Sequence, residues 1–286
     1  MTILRRQCVG LEALEEATKL LQRARRANDI AGVWEAADIQ WNWRKPRDSD
    51  REPQQFWFDD RGPVAAFWAT QVSGDSWQMD PIVVPDTMSM EEIWQEALAV
   101  SARNPERDWD IPVDDDDTAF AGFLMSHGFA AGDKDSTAWM DASDCPDLPS
   151  MPDGFRITDR VSRDHQPHPM LDRNDENLVR RLQQCSLYDP ALDLAIQTDD
   201  GSIAGYSMYW YDPETRIGLV EPVRVHDAYQ RRGLARAMVS IGLNRLVEAG
   251  AKRLKVSYES EAAGALYLGL GFVKQSTTTW YAAPRN

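Results

Sequence analysis

Cysteine is scarce in this 286-residue chain, and the three present, Cys8, Cys145 and Cys185, are far apart and odd in number. That pattern excludes a disulfide framework and lacks the paired spacing of a structural zinc site. Histidine is nearly as rare, with four in all. His165 and His168 have no cysteine or third histidine beside them, so surface positions are expected for them and no metal site is assigned. No apolar run approaches the length needed to cross a bilayer. The opening MTILRRQCVGLEALEE turns acidic straight after two arginines, unlike a signal peptide, and a cytoplasmic location is expected. Positive charge is also in deficit. The net charge is −15, and residues 1–145 hold 14 Lys+Arg against 28 Asp+Glu while residues 146–286 hold 17 against 18. So acidic a chain repels nucleic acid and anionic membranes, and neither is expected as a partner. The nearly neutral second half is left free to hold a polyanion.

What is present suits two folded domains. The length is generous for one, 43% hydrophobic residues supply real cores, and 27% charge is ordinary. In the first half, Leu11 to Ala27 carries apolar residues at helical spacing, and Asp29 is placed to cap a second helix through Trp34 and Ile39. Trp41 to Pro53 breaks the pattern and is expected to be a polar loop. Strands are expected at Gln55–Phe58, Val64–Val72 and Trp77–Val84, then a helix at Met90–Ala102, a strand at Trp109–Val113 and a short helix at Ala119–Ser126. The run Asp114 to Asp117 lacks the glycine turn and the closing glutamate of a calcium loop; a solvated loop whose last Asp caps the next helix explains it. Pro146 to Asp153 has three prolines in eight positions and is expected to be an extended linker. The expected division is therefore 1–145, a linker at 146–153, and 154–286.

The second half is organised around Leu219–Glu248. Val220, Val223 and Val225 suit a strand that Pro222 interrupts. The loop Gln230-Arg231-Arg232-Gly233-Leu234-Ala235 follows, and a helix begins behind it. Gly233 permits a positive φ, a helix start presents unpaired N–H groups, and two arginines add charge, so an anion site suited to a diphosphate is expected here. Around it lie an expected strand at Phe155–Thr158, a loop at Arg163–Asp175 and a helix at Glu176–Cys185 with Cys185 among its packing positions. Strands at Leu192–Gln197 and Ile203–Tyr211 flank an Asp-Asp-Gly-Ser turn. Gly250 is expected to end the long helix, followed by a strand at Leu254–Tyr258, a helix at Glu261–Leu268 and a final hairpin of Phe272–Lys274 and Thr277–Ala282.

The halves repeat one another. DTAFAGFLMSHGF (Asp117–Phe129) aligns with SEAAGALYLGLGF (Ser260–Phe272), DPIVV (Asp80–Val84) aligns with EPVRV (Glu221–Val225), and both halves finish with a Ser/Thr-containing run into Trp139 or Trp280. The copies differ where a diphosphate would sit. The first has Pro85 to Met88 and then Glu91 and Glu92 in place of the glycine and arginines, and Leu124 where the second has Tyr267. The first copy is expected to have no such site.

The element order together with Gln230, Gly233 and Ala235, and with Ala263, Leu266, Tyr267, Gly271 and Phe272, resembles the GCN5-related N-acetyltransferase (GNAT) superfamily. Gln/Arg-x-x-Gly-x-Gly/Ala is that family's pyrophosphate loop, and Asn-x-x-Ala-x-x-Leu-Tyr-x-x-x-Gly-Phe is its later segment, with Ser260 here standing where Asn is usual. The resemblance covers Gly154 to Asn286 well and the first half in outline, and the two-copy layout is similar to that of the mycothiol synthases. It implies an α+β (mixed α/β) chain of two tandem folds, each a mixed, mostly antiparallel twisted sheet flanked by helices and splayed between strands 4 and 5. It implies acetyl-CoA as cosubstrate, no metal, and direct transfer to the amine of a small molecule or peptide by a monomer or homodimer. The implied cofactor contacts are Val223, Arg224, Val225, Gln230, Arg231, Arg232, Gly233, Leu234, Ala235, Arg236 and Ser260, with the Val223 N–H polarising the thioester at a strand bulge. Glu221 is the implied base, or else a structural carboxylate; Tyr267 is the implied acid, or else a core residue. Trp41, Trp43, Trp68 and Trp77 are candidates to wall the acceptor pocket or simply to pack. A non-catalytic CoA-binding protein, keeping the loop but needing neither Glu221 nor Tyr267, is the alternative from another class.

Overall fold

The computed structural model describes residues 2–29 and 32–284. It divides into two compact units: Met1–Ile39, Pro46–Asp135 and Ser276–Asn286 form the first, and Gln40–Lys45 with Ser136–Gln275 the second. The elements in chain order are β1 (Leu4–Cys8), α1 (Leu11–Ala27), α2 (Ala36–Trp43), β2 (Gln54–Asp59), β3 (Gly62–Ser73), β4 (Ser76–Val83), α3 (Met90–Arg103), β5 (Asp108–Asp114), α4 (Thr118–Ser126) and β6 (Ala130–Asp141). Then come β7 (Phe155–Asp159), α5 (Leu178–Gln183), β8 (Asp193–Thr198), β9 (Ile203–Asp212), β10 (Ile217–Val225), α6 (Leu234–Ala249), β11 (Arg253–Tyr258), α7 (Glu261–Leu268) and β12 (Val273–Ala282).

In the first unit the strands run β1-β2-β3-β4-β5-β12, and in the second β7-β8-β9-β10-β11-β6. Read from the outer strand inward, the two orders are the same, with one exchange. The strand closing the first unit is Thr278–Ala282, paired with Asp110–Asp114 of β5. The strand closing the second is Ser136–Asp141, paired with Arg253–Tyr258 of β11. Each unit therefore takes its last strand from the other half of the sequence, which is where the units depart from the expected division at 146–153. In both units all adjacent pairs within these stretches are antiparallel except β4–β5 and β10–β11.

The first core gathers Phe67, Trp77, Met79, Trp94, Ile111, Leu124 and Phe129, all nearly inaccessible to solvent. The second gathers Leu194, Tyr209, Val220, Val239, Leu243, Leu254, Val256 and Phe272. Burying a side chain of this size is worth ~1.5–3 kcal/mol each, and the period-2 strands with the amphipathic faces of α3 and α6 put these residues on one side of each sheet. Asp117 caps α4 by accepting the Phe120 N–H at 3.0 Å, as the aspartate run led us to expect. Gly250, at φ 112°, ends α6 as expected.

Several local expectations are corrected. β1 is a strand where none was assigned; its burial is almost wholly on one residue, Cys8, so it shows no alternation. The second helix starts at Ala36, not at Asp29, and extends to Trp43, which takes Trp41 and Trp43 out of the expected loop. The last hairpin is one continuous strand, β12. His168 is buried rather than superficial. Its Nδ1 accepts the Met170 N–H at 3.1 Å, so Nε2 carries the proton and donates to Asp193 at 2.8 Å. Cys185 packs in the interior as expected, two residues beyond the end of the shorter α5. Among the described residues no helix is long and apolar enough to cross a membrane, and no group of three or more His, Cys, Asp or Glu is placed to hold a metal ion.

Candidate active site

Strand β10 changes partners midway. Ile217 to Leu219 pair in parallel with Arg253 to Lys255 of β11, and the pairing goes no further. On its other side β10 stays with β9 to its end, but the register slips between Val220 and Val223, so Glu221 and Pro222 form a bulge. Pro222 has no N–H to give to a ladder, and a bulge is where a strand tolerates it. Beyond the bulge the His226 N–H donates to Ala204 at 2.9 Å. In an antiparallel pair, bonded and non-bonded positions alternate. Arg224 therefore shares the bonded positions facing β9, while the N–H and C=O groups of Val223 and Val225 point the other way, into the gap that β11 has left. The Val225 carbonyl there accepts a bond from Gln230 Nε2 at 3.1 Å, and the same nitrogen donates to Asp227 at 3.0 Å. Gln230 thus ties the loop back to the opened strand.

The loop leads into α6 through two residues with positive φ, Arg231 at 61° and Gly233 at 80°. Alternating handedness of this kind turns successive N–H groups inward to form a concave anion nest. No side chain caps α6, so its first N–H groups are available. A methyl at Gly233 would meet nothing within 4 Å, which leaves the approach to those groups clear. Arg231 and Arg232 are exposed beside it; Arg232 donates to Ala228 O at 3.3 Å and lies over the Tyr229 ring. Leu234 is buried against Ile196 and Met238 and anchors the helix start, with Ala235 half-buried next to it. Arg236 turns toward α7 and donates to Gly269 O at 3.1 Å. Ser260 is engaged elsewhere: its hydroxyl caps α7 by accepting the Ala263 N–H at 3.2 Å.

Glu221 and Tyr267 are brought together from elements 46 positions apart. Tyr267, on α7, is packed between Tyr258 and Phe272 at ring distances of 6.1 and 6.0 Å. Burial, and after it the nearby Glu221 charge, push its phenol well above the ordinary tyrosine value, so it holds its proton throughout the neutral range. The Glu221 carbonyl accepts the Trp210 indole N–H at 2.8 Å, fixing the backbone at the bulge. Trp210 is wholly buried, with the Trp41 and Tyr188 rings against it at 6.4 and 6.2 Å. Trp210 and Tyr188 were not singled out from the sequence; the alternation of Tyr206, Met208 and Trp210 along a hairpin strand was the available signal. Of the four candidate wall tryptophans, Trp41 and Trp43 belong to this unit and Trp68 and Trp77 to the other, where Trp77 is core.

The equivalent region of the first unit is built differently. β4 also leaves β5 early, after Gln78, but its pairing with β3 runs through Asp80 and Pro81 without a slip. The helix behind it, α3, is capped by its own Ser89, which accepts the Glu91 N–H at 3.2 Å, and Glu91 and Glu92 occupy its first turn. Leu124 lies in the core. Asp80 is buried, bonded by Trp34 Nε1 at 2.8 Å and Gln78 Nε2 at 2.7 Å.

Residues 157–272 match the family model described as "Acetyltransferase (GNAT) family". Among solved structures, a tandem GNAT protein from the clavulanic acid biosynthesis pathway superposes with a TM-score of 0.71 at 15% identity, covering 100% of this chain and 99% of its own. A GCN5-related N-acetyltransferase from Sphaerobacter thermophilus gives 0.61 at 15% identity, with 98% and 95% covered. One from Kribbella flavida gives 0.54 at 15% identity, with 92% and 95% covered. No curated protein sequence matches the chain. Residues 157–272 thus carry the sequence pattern of the GNAT family, and the whole chain has the fold of a tandem GNAT protein.

Proposed function

We propose that the second unit is an N-acetyltransferase centre that takes its acetyl group from acetyl-CoA and passes it to an amine, and that the first unit is a scaffold without that cosubstrate. The observation that carries this reading is the opened strand: the Val223 and Val225 backbone facing an unpaired gap, with an uncapped helix start and two positive-φ residues behind it. These features fit an extended thioester ending in a diphosphate. The nest from Arg231 to Arg236 would take the diphosphate, and the Val225 N–H the pantetheine amide. When bound, acetyl-CoA supplies the activated acyl group. The Val223 N–H is the donor placed to polarise its carbonyl. Glu221 takes a proton from the acceptor ammonium, directly or through one water. Tyr267, kept protonated by burial, gives a proton to the departing thiolate. The first unit, with its self-capped α3 and two glutamates, repels the same diphosphate.

The test is thiol release from acetyl-CoA with a panel of amines, for wild type, Glu221→Gln and Tyr267→Phe, beside calorimetric binding of CoA to each. Binding in all three with turnover lost or strongly reduced in the variants supports the roles. Equal rates in all three would sink the roles of Glu221 and Tyr267. CoA binding without transfer to any amine would leave a CoA-binding regulatory protein instead.

A further inference from the structure

Arg224 lies one residue past Val223 and does something its neighbours do not. Val223 and Val225 pack toward α6 with Leu234 and Met238. Side chains alternate along a strand, so Arg224 is on the opposite face. There it stands across from Tyr206 in the β9–β10 register, and its Nε is buried with no hydrogen-bond partner among the described residues. A buried guanidinium nitrogen left without an acceptor is destabilising, so the site favours a ligand that supplies one. The same neighbourhood holds more positive charge. The Tyr206 phenol is raised by burial, while Arg224, Arg173 and Arg44 all pull it down and only Asp172 joins the burial. The His226 ring lies edge-on to Tyr206 at 6.2 Å. Arg44 is stacked 3.4 Å above Trp41, Trp41 meets Trp210, and Trp210 holds the Glu221 carbonyl. The arginines therefore continue the wall that ends at the proposed base. Around Tyr206 this is three guanidinium groups against one carboxylate, Asp172, in a chain of net charge −15.

Resting on the N-acetyltransferase reading above, we propose that the acceptor is an amine carrying an oxyanion of its own, a carboxylate or a phosphate, and that Arg224 receives this group while Glu221 faces the amine. A guanidinium presents paired N–H donors to such an oxyanion, and Tyr206 adds a hydroxyl at the same place. Arg44 and Arg173 supply the surrounding field. The diphosphate nest is not the source of this demand, because it lies at the start of α6, which packs on the other face of the strand with Val223 and Val225.

The experiment uses the full chain and matched acceptors: amino acids, each beside its amide and its decarboxylated amine, and aminoalkyl phosphates of the same chain length. Wild type should prefer the anionic member of a pair by at least tenfold in kcat/KM, and the better of carboxylate and phosphate identifies the source. Arg224→Gln should reduce that ratio about tenfold or more, mainly through KM, Arg224→Lys should restore part of it, and Arg173→Gln should reduce it less. Equal use of the neutral amines by wild type, or a ratio unchanged in Arg224→Gln, overturns the proposal and leaves the acetyltransferase reading standing. If no amine is acetylated, that reading fails by itself. Calorimetry of the same paired compounds with CoA present then decides the anion site, binding of neither member or of both equally overturning it.

Discussion

At the scale of single residues, the two copies put a carboxylate at the same place on the strand and give it opposite surroundings. Glu221 stands at a bulge, close enough for its charge to raise the Tyr267 phenol; Asp80 is enclosed, and burial pushes its carboxyl up to about 7 despite two bonds that favour the charged form. A carboxyl raised in the folded state contributes its full stability below its ordinary value near 4 and loses it as the pH rises through about 7. Each unit of displacement is worth about 1.4 kcal/mol. Urea midpoints of wild type should therefore fall between pH 5 and pH 8 by a component that is missing in Asp80→Asn, where the Gln78 amide can flip to accept from the new N–H group. A parallel decline in both proteins would mean that Asp80 does not titrate between pH 5 and pH 8 in the folded protein as its burial predicts. At Tyr267 the prediction is kinetic: loss of a positioned proton donor costs on the order of 10²-fold in kcat, so Tyr267→Phe should show that loss with its CoA affinity intact. The positions of Glu221 and Tyr267 were legible from the motifs, since they stand at fixed offsets from Pro222 and Gly271, and the roles proposed for them rest on those positions. Arg224 was named only as a cofactor contact, and neither its face nor the hold of Trp210 on the bulge was legible, because a residue's face on a strand past a bulge depends on where the register slips, and one sequence does not locate the slip.

At the scale of elements, α6 carries both the end proposed to take the diphosphate and a packing face, and each has a glycine that decides it. Gly233 opens the helix at φ 80°. Alanine there strains a left-handed backbone by about 1 kcal/mol or more, so Gly233→Ala should weaken CoA binding roughly fivefold or more by calorimetry; an unchanged Kd would remove the loop from the diphosphate site. Gly242 lies against the face of Tyr209, whose hydroxyl donates to Met238 O at 3.0 Å in the same helix. A methyl at Gly242 would overlap that ring, and overpacking of this kind costs about 1–3 kcal/mol. Gly242→Ala should lower the Tm, and pairing it with Tyr209→Leu should recover part of the loss. The helix itself was readable from Leu234, Met238, Ile241 and Leu246 at helical spacing, and Gly250 marked its end. β1 was not, since a strand with four exposed residues in five has no hydrophobic alternation to read.

At the scale of the whole molecule, the two sequence halves were legible as copies and the strand exchange was not. β6 runs Ser136-Thr137-Ala138-Trp139 and β12 runs Thr277-Thr278-Thr279-Trp280, so by local pattern either suits either edge, and nothing in their composition chooses between β5 and β11. The pairing has a consequence for cutting the chain. A fragment of residues 154–286 keeps the loop, α6 and α7 but leaves out Ser136–Asp141, the strand that covers β11 along its entire length. An uncovered β11 edge, with Leu254 and Val256 in the core beside it, is a template for pairing between chains. That fragment should elute as oligomers and melt several degrees below a fragment of residues 136–286, which carries its own closing strand and should stay monodisperse and bind CoA. β12 is the competing outcome: its alternation suits β11 as well, and if it moves over, the shorter fragment will be monodisperse too. Amide exchange distinguishes the cases, since β12 in residues 136–286 should exchange freely if β6 holds β11, and be protected in residues 154–286 only if it has taken that place. Equal melting and equal protection in both fragments would show that the closing strand does not determine the stability of the second unit.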